Sequence, residues 1–259
     1  MADVPALGWG GVAASALLVL LVVAVTYQQR LHLTRELAIA SVRAAIQLIA
    51  VGALLVVLFA RTGLPGALAW VVVMILIAGQ VAGRRGGGLP RARWAATAGV
   101  AAGSAVTLGA LVALGVISTQ ARVIVPIGGM IVSGAMQAAG VTLHRLGEDV
   151  RQARPVIEAR LCLGLSAREA FLPHQRSVLR VALMPAIDST KVVGLISLPG
   201  AMTGLILAGV DPLTAIRYQI VVMYMLLAAA ALAALATARL AERTLFDDAH
   251  RLINLSASP

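Results

Sequence analysis

The chain is 259 residues long, 60% hydrophobic and only 12% charged, with a mean hydropathy of +0.93. That balance excludes a soluble domain, whose surface would need far more charge, and it points to an all-α polytopic membrane protein. A formal charge of +10 would suggest nucleic acid in a soluble chain; here the basic residues mark the cytoplasmic side, and no nucleic-acid partner is expected.

Aromatic residues make up 3% of the chain, while Gly, Ala, Val and Leu dominate, so close helix packing through small residues is expected. The single cysteine, Cys162, rules out an intramolecular disulfide and a cysteine metal cluster. A bilayer core needs about 20 apolar residues per helix. On that measure seven spans are predicted, at roughly 7–27, 38–60, 64–82, 95–117, 123–143, 182–208 and 218–238. Together they form one transmembrane domain over 1–259. Trp9, Tyr27, Trp70, Trp94 and Tyr218 fall near proposed span ends, where interfacial anchors belong. The start MADVPALGWG lacks a basic n-region, so no cleavable signal is expected. No internal repeat is strong enough to indicate an inverted-repeat transporter.

Basic residues set the orientation. Sixteen of the 21 lie after spans one, three and five and in the C-terminal tail; Arg61, Arg122 and Arg217 lie in the alternate loops, and Arg43 and Lys191 inside spans. This places the N-terminus outside and the C-terminus in the cytoplasm, with cytoplasmic basic loops such as GRRGGG favouring anionic lipid.

Between spans five and six lies a long mixed-charge stretch, residues 144–180, long enough to contain structure or function. Two short helices are predicted there. Pro155 suits a first helical turn, Gly164 supplies a left-handed stop, and Ser166 with Glu169 has capping-box spacing for the next helix. Such a hairpin is either a docking element or a solvated connector.

Span six is the least ordinary. Asp188 and Lys191 are spaced i,i+3 on one helical face and can pair. They form either an interfacial ion pair, with Lys191 reaching back to the headgroups, or a charged wall or gate of a translocation path. Pro199 removes a helix hydrogen bond and Gly200 relaxes the backbone, which predicts a kink or short unwinding beside a cavity. Gly200 and Gly204 also form a small-xxx-small pair suited to tight packing. Met130, Met136, Met184, Met202, Met223 and Met225 lie in the last three spans, as core filler or as thioether ligands for soft metals; hard ferric ions suit them poorly. Gln137, Thr203 and Gln219 are candidate oxygen ligands, and His144 is read as interfacial. No His, Cys or carboxylate cluster has metal-site spacing. A P-loop needs Gly-Lys-Ser/Thr; the sole lysine, Lys191, precedes valine, so the chain is not itself a P-loop ATPase.

IEARLCLGLSAREAF followed by LMP resembles the cytoplasmic coupling loop of ABC-transporter permeases, with Glu158, Ala159, Gly164 and Pro185 at matching places and Arg160 in place of a second alanine. DSTKVVGLISLPGAMTGLILAGVDPLTAIRYQIVVMYM resembles the signature of the FetB-like bacterial iron exporters and plant aluminium-tolerance permeases. The similarity covers most of the chain and is strongest over 126–248. In MIVSGAM, Ser133 and Gly134 replace an expected Gly-Asn. The resemblance implies a homodimeric permease of the inner (plasma) membrane, exporting metal cations, iron foremost. A separate ATPase subunit would carry ATP and magnesium and receive the hairpin at Glu158, Ala159, Gly164, Ser166 and Glu169. Asp188, Lys191, Met202, Thr203, Gln137 and Gln219 are the expected pathway residues, with Pro199, Gly200 and Gly204 as hinge and packing positions; no metal ligand set is expected from the chain alone. The alternatives are an ion-coupled secondary transporter using Asp188, or a non-transporting membrane regulator.

Overall fold

A computed structural model describes residues 8–30, 34–61, 63–196, 198–247 and 251–255. The described chain is almost wholly helical, without a strand among those residues; Phe246 and Leu252 make one isolated antiparallel bridge. Residues 1–63 and 64–259 form two units. The first contains α1 (Trp9–Gln28) and α2 (Thr34–Arg61), packed on each other. The second contains α3 (Gly63–Gly83), α4 (Ala92–Ala113), α5 (Ala121–Cys162), α6 (Ala167–Val192), α7 (Gly200–Leu207) and α8 (Pro212–Glu242).

Among the described residues six helices, α1 to α5 and α8, are long and apolar enough to cross a membrane. The predicted sixth span, 182–208, is not one helix. α6 ends at Val192, Gly194 takes a left-handed φ of +83°, and α7 begins only after Pro199, whose extended backbone caps it. Proline bars the preceding residue from helical geometry and cannot donate to the earlier turn, and of the kink or short unwinding expected at Pro199–Gly200 the structure shows an unwinding, which begins earlier, at Gly194.

The hairpin also differs from expectation. Pro155 does not start a helix: α5 runs unbroken through it for 42 residues, a rod of about 63 Å. One missing N–H is tolerable where neighbouring turns are reinforced. Arg154 pairs with Glu158 at 2.8 Å, and Arg154 also donates to the carbonyls of Leu252 (3.1 Å) and Ile253 (3.2 Å). The two arms are then tied together. Asp149 meets His174 at 2.8 Å, and the Arg160 guanidinium donates to the Ala170 carbonyl at 3.1 Å. Phe171, fully buried, lies edge-on to Phe246 with ring centres 6.1 Å apart, and Leu146, Ile157 and Leu245 complete a core of large side chains at this end.

Elsewhere the core is made of small residues. Ala95, Ala96 and Val100 of α4 and Ala229 and Ala233 of α8 are buried where these helices pack on each other. A Cβ at Gly103 would stand 2.8 Å from both the Ala229 carbonyl oxygen and the Ala233 nitrogen, and one at Gly99 would overlap Thr237. Backbones in such contact require glycine. This is the close-packed seam of a lean membrane bundle.

Candidate functional site

α5, α6 and α8 border an open cavity of about 1110 Å³ in the second unit. Along α5 its wall runs from Pro126 to Val141. At 1.5 Å per residue that is about 22 Å, most of the depth of a bilayer's hydrocarbon core. Met130, Met136 and Met223 supply soft apolar wall; Gln137, Ser133, Ser189 and Thr190 supply polar groups; Arg85 carries the one charge among the lining residues. Pro185 and Pro199 also line it, so the helix breakers of this region border open space, where backbone with missing hydrogen bonds can be tolerated.

The hydroxyls of Ser189 and Thr190 donate to the carbonyls of Pro185 and Ala186, each at 2.8 Å, and can offer only lone pairs to a ligand. Arg85 lies in a short 3-10 turn, Arg84–Gly86, after α3, and its stem runs across Gly140. A Cβ at Gly140 would sit 3.0 Å from the Arg85 Cδ, a contact that a small shift of this exposed side chain relieves. Among the described residues no carboxylate lines the cavity and no group of three or more His, Cys, Asp or Glu could hold a metal ion.

Of the sequence-predicted pathway residues, Gln137 lines the cavity, together with Ser133 and Gly134 where the expected Gly-Asn is replaced. Asp188 and Lys191 pair with each other at 3.2 Å but do not line it. Residues 182, 185, 186, 189, 190 and 192 of α6 and the following 193 line the cavity; the helical period puts 191 on the opposite face and 188 just outside the edge marked by 192. The Asp188 and Lys191 side chains remain 63% and 68% exposed. Met202 and Thr203 are half-buried on α7, where the Thr203 hydroxyl donates to the Pro199 carbonyl at 3.0 Å. Gln219 is buried on α8 with its Oε1 unpartnered and lies outside the cavity wall. Gly200 and Gly204 have no atom within 4 Å of a would-be Cβ, so nothing within the described chain packs on them. Arg85, which the sequence reading did not single out, borders the cavity as an exposed residue of the basic turn after α3.

The hairpin tip is well defined. Gly164 adopts φ +88°, the Leu165 N–H bonds the Arg160 carbonyl at 3.2 Å and the Gly164 N–H bonds the Leu161 carbonyl at 3.0 Å, closing α5 in a Schellman motif. Ser166 and Glu169 form the predicted capping box at the start of α6. Glu158 is held by Arg154, while Leu163 stands 80% exposed at the tip beside the exposed Cys162.

The Ser166 hydroxyl and backbone N–H both donate to the Glu169 carboxylate and hold its pKa below the ordinary 4.5. A depressed folded-state value means that the cap is fully present above about pH 4.5 and is lost as pH falls through that lowered value. Amide exchange at the start of α6, corrected for intrinsic rates, is expected to accelerate over that acid window. Glu169→Gln removes the acid dependence, and Ser166→Ala accelerates exchange roughly fivefold at neutral pH.

The family described as uncharacterised protein family UPF0014 matches residues 9–246. The chain belongs to this family. This UPF0014 chain is 42% identical over 241 residues to UPF0014 membrane protein STAR2 of Oryza sativa subsp. japonica, covering 93% of this chain and 84% of that one. It is 37% identical over 240 residues to Protein ALUMINUM SENSITIVE 3 of Arabidopsis thaliana (93% and 88%). It is 34% identical over 241 residues to the probable iron export permease protein FetB of Escherichia coli (strain K12), covering 93% of each. No solved structure matches. With six apolar helices and this family membership, the UPF0014 chain is a multi-pass membrane protein.

Proposed function

We propose that the chain is the permease subunit of an ABC transporter in the inner (plasma) membrane, exporting metal cations, iron foremost, as a homodimer energised by a separate ATPase subunit that carries ATP and magnesium. One observation carries this reading: two of the three helices that wall the cavity, α5 and α6, are joined by the hairpin. α6 runs without interruption from its cap at Ser166 to the cavity wall at Ala182, about 24 Å. A partner that pushes on the tip therefore moves a wall of the cavity, which is what coupling ATP to alternating access requires. The charge distribution, sixteen of the 21 basic residues on one side, supports a cytoplasmic hairpin with the N-terminus outside. The similarity to FetB, a probable iron export permease protein, supports the transport direction and cargo. An ion-coupled carrier using Asp188 is less well supported, because that carboxylate is not among the residues lining the cavity and is paired with Lys191.

The sole cysteine offers a direct test, since Cys162 is exposed at the end of α5. The unlabelled chain, purified gently from its own membrane, is expected to retain a P-loop ATPase; a bulky maleimide on Cys162 releases it, and a small methylthio group does not. Gradient-driven iron flux by the purified chain without any ATPase would sink the reading.

A further inference from the structure

The end of a chain frays unless something ties it down. Here residues after α8 fold back on the hairpin and are held there. The Asp247 N–H donates to the Arg251 carbonyl and the Ile253 N–H to the Leu245 carbonyl, each at 3.0 Å, and Phe246 and Leu252 bridge between them. Leu245 and Leu252 are buried, and Phe246 stands edge-on to Phe171 of α6. Arg154 of α5 fastens the segment. Its three guanidinium nitrogens are all engaged: Nη1 on the Ile253 carbonyl at 3.2 Å, Nη2 on the Leu252 carbonyl at 3.1 Å, and Nε on Glu158 at 2.8 Å. From Arg154 to Cys162 at the tip is eight residues of helix, about 12 Å.

Between this segment and the tip lies an open groove of about 750 Å³. It follows α5 from Arg154 to Cys162 and continues round the turn to Ser166, with Arg251 and Leu252 along its other side. Leu161, Leu165 and Leu252 give it apolar wall, and Arg154, Glu158 and the exposed Arg251 charge its margin. An apolar centre with a charged rim is the make-up of a protein interface. The groove is continuous with the tip that carries the exposed Leu163, so a partner seated on the tip also reaches the groove.

Resting on the permease reading above, we propose that the ATPase subunit docks on a composite face, the hairpin tip together with residues 251–253 of the C-terminal segment, with Arg154 as the positioning residue that holds the two parts together. The partner seats an apolar side chain between Leu161, Leu165 and Leu252 and offers a carboxylate to Arg251, a rim pairing that sets orientation more than affinity. Because Arg154 fixes the segment beforehand, the ATPase does not have to order it on binding. The same clasp ties the segment after α8, the third helix bordering the cavity, to the hairpin. A push on the composite face therefore reaches all three helices at once.

The test is photo-crosslinking of the full chain in lipid nanodiscs to the P-loop ATPase that co-purifies with it, with a diazirine amino acid at position 251 or 163. Both positions are expected to capture the ATPase. In Arg154→Ala, amide exchange at Ile253 accelerates and ATPase affinity falls roughly tenfold. At saturating ATPase, capture is then lost at 251 and kept at 163. Arg154→Lys, which can still reach one carbonyl, recovers part of the capture at 251. Equal loss at both positions makes Arg154 merely stabilising and overturns its positioning role. Unchanged exchange at Glu169 verifies that the hairpin is folded, and capture at 251 with Arg154 intact decides the matter should Arg154→Ala fail to fold. Capture at 163 without capture at 251 overturns the proposal and leaves the permease reading standing. Capture at 251 of a second copy of this chain overturns it in favour of a contact between copies. ATPase affinity that rises when residues 256–259 are removed assigns the groove to the chain's own terminus and overturns it too. Retention of no ATPase at either position overturns the permease reading itself.

Discussion

Leu163→Asp is expected to abolish ATP-driven transport into inside-out vesicles while leaving the protein folded in the membrane. Leu163 is 80% exposed at the hairpin tip and fills no cavity within the chain, so folding loses little. A carboxylate at a helix C-terminus opposes the helix dipole, but only by a few tenths of a kcal/mol at an exposed site, roughly the low end of that effect. The cost falls on the partner. Under the proposed function the tip seats in a groove of the ATPase, where a buried leucine contributes about 2 kcal/mol. An aspartate there forfeits that burial and adds the desolvation of an unpaired charge. Together these reach about 3–5 kcal/mol, the range of an interface hot spot, and weaken association roughly a hundredfold or more. Co-purification of the ATPase and the ATP-dependent flux should fall together. Flux above half the wild-type level in a well-folded Leu163→Asp protein would remove the hairpin from the coupling path.

What the sequence made legible was local. The capping box of Ser166 and Glu169 and the stop at Gly164 depend on residues within one turn of each other, and the structure forms all three. The apolar runs likewise follow from composition over a window. The extent of α5 was not legible, because Pro155 among charged residues looks like a boundary, while its tolerance depends on Arg154 reaching a carbonyl nearly a hundred positions away at Ile253. The break after Val192 was only half legible: Pro199 announced it, but Gly194 gave no sign that its left-handed turn would start it earlier. For the cavity, Gln137 could be named from its type and depth, whereas Arg85 could not. A cation of an exposed basic turn comes to border a cavity only through the meeting of distant helices, and no local pattern encodes that meeting.

Two glycine pairs of identical spacing make the same point and separate two kinds of packing. Gly99 and Gly103 on α4 and Gly200 and Gly204 on α7 are both i,i+4 pairs, so sequence alone treats them alike. In the structure a Cβ at Gly103 meets backbone atoms of Ala229 and Ala233 at 2.8 Å, and no rotamer change can relieve backbone. Gly103→Leu must therefore part α4 from α8 and open the seam of buried alanines between them, an overpacking cost of about 3 kcal/mol or more. In a detergent unfolding scan this is a Tm loss of roughly 6–12 °C, using about 2–4 °C per kcal/mol for a chain of this size. Gly204→Leu has nothing within 4 Å to strike in the same chain and should leave the Tm of the isolated subunit unchanged. Cross-linking in membranes then reads its second consequence: a loss of dimer in Gly204→Leu at unchanged Tm places α7 at the interface between two copies, and a dimer that survives places the interface elsewhere. A Gly103→Leu protein as stable as the wild type would show that α4 and α8 do not hold the bundle together.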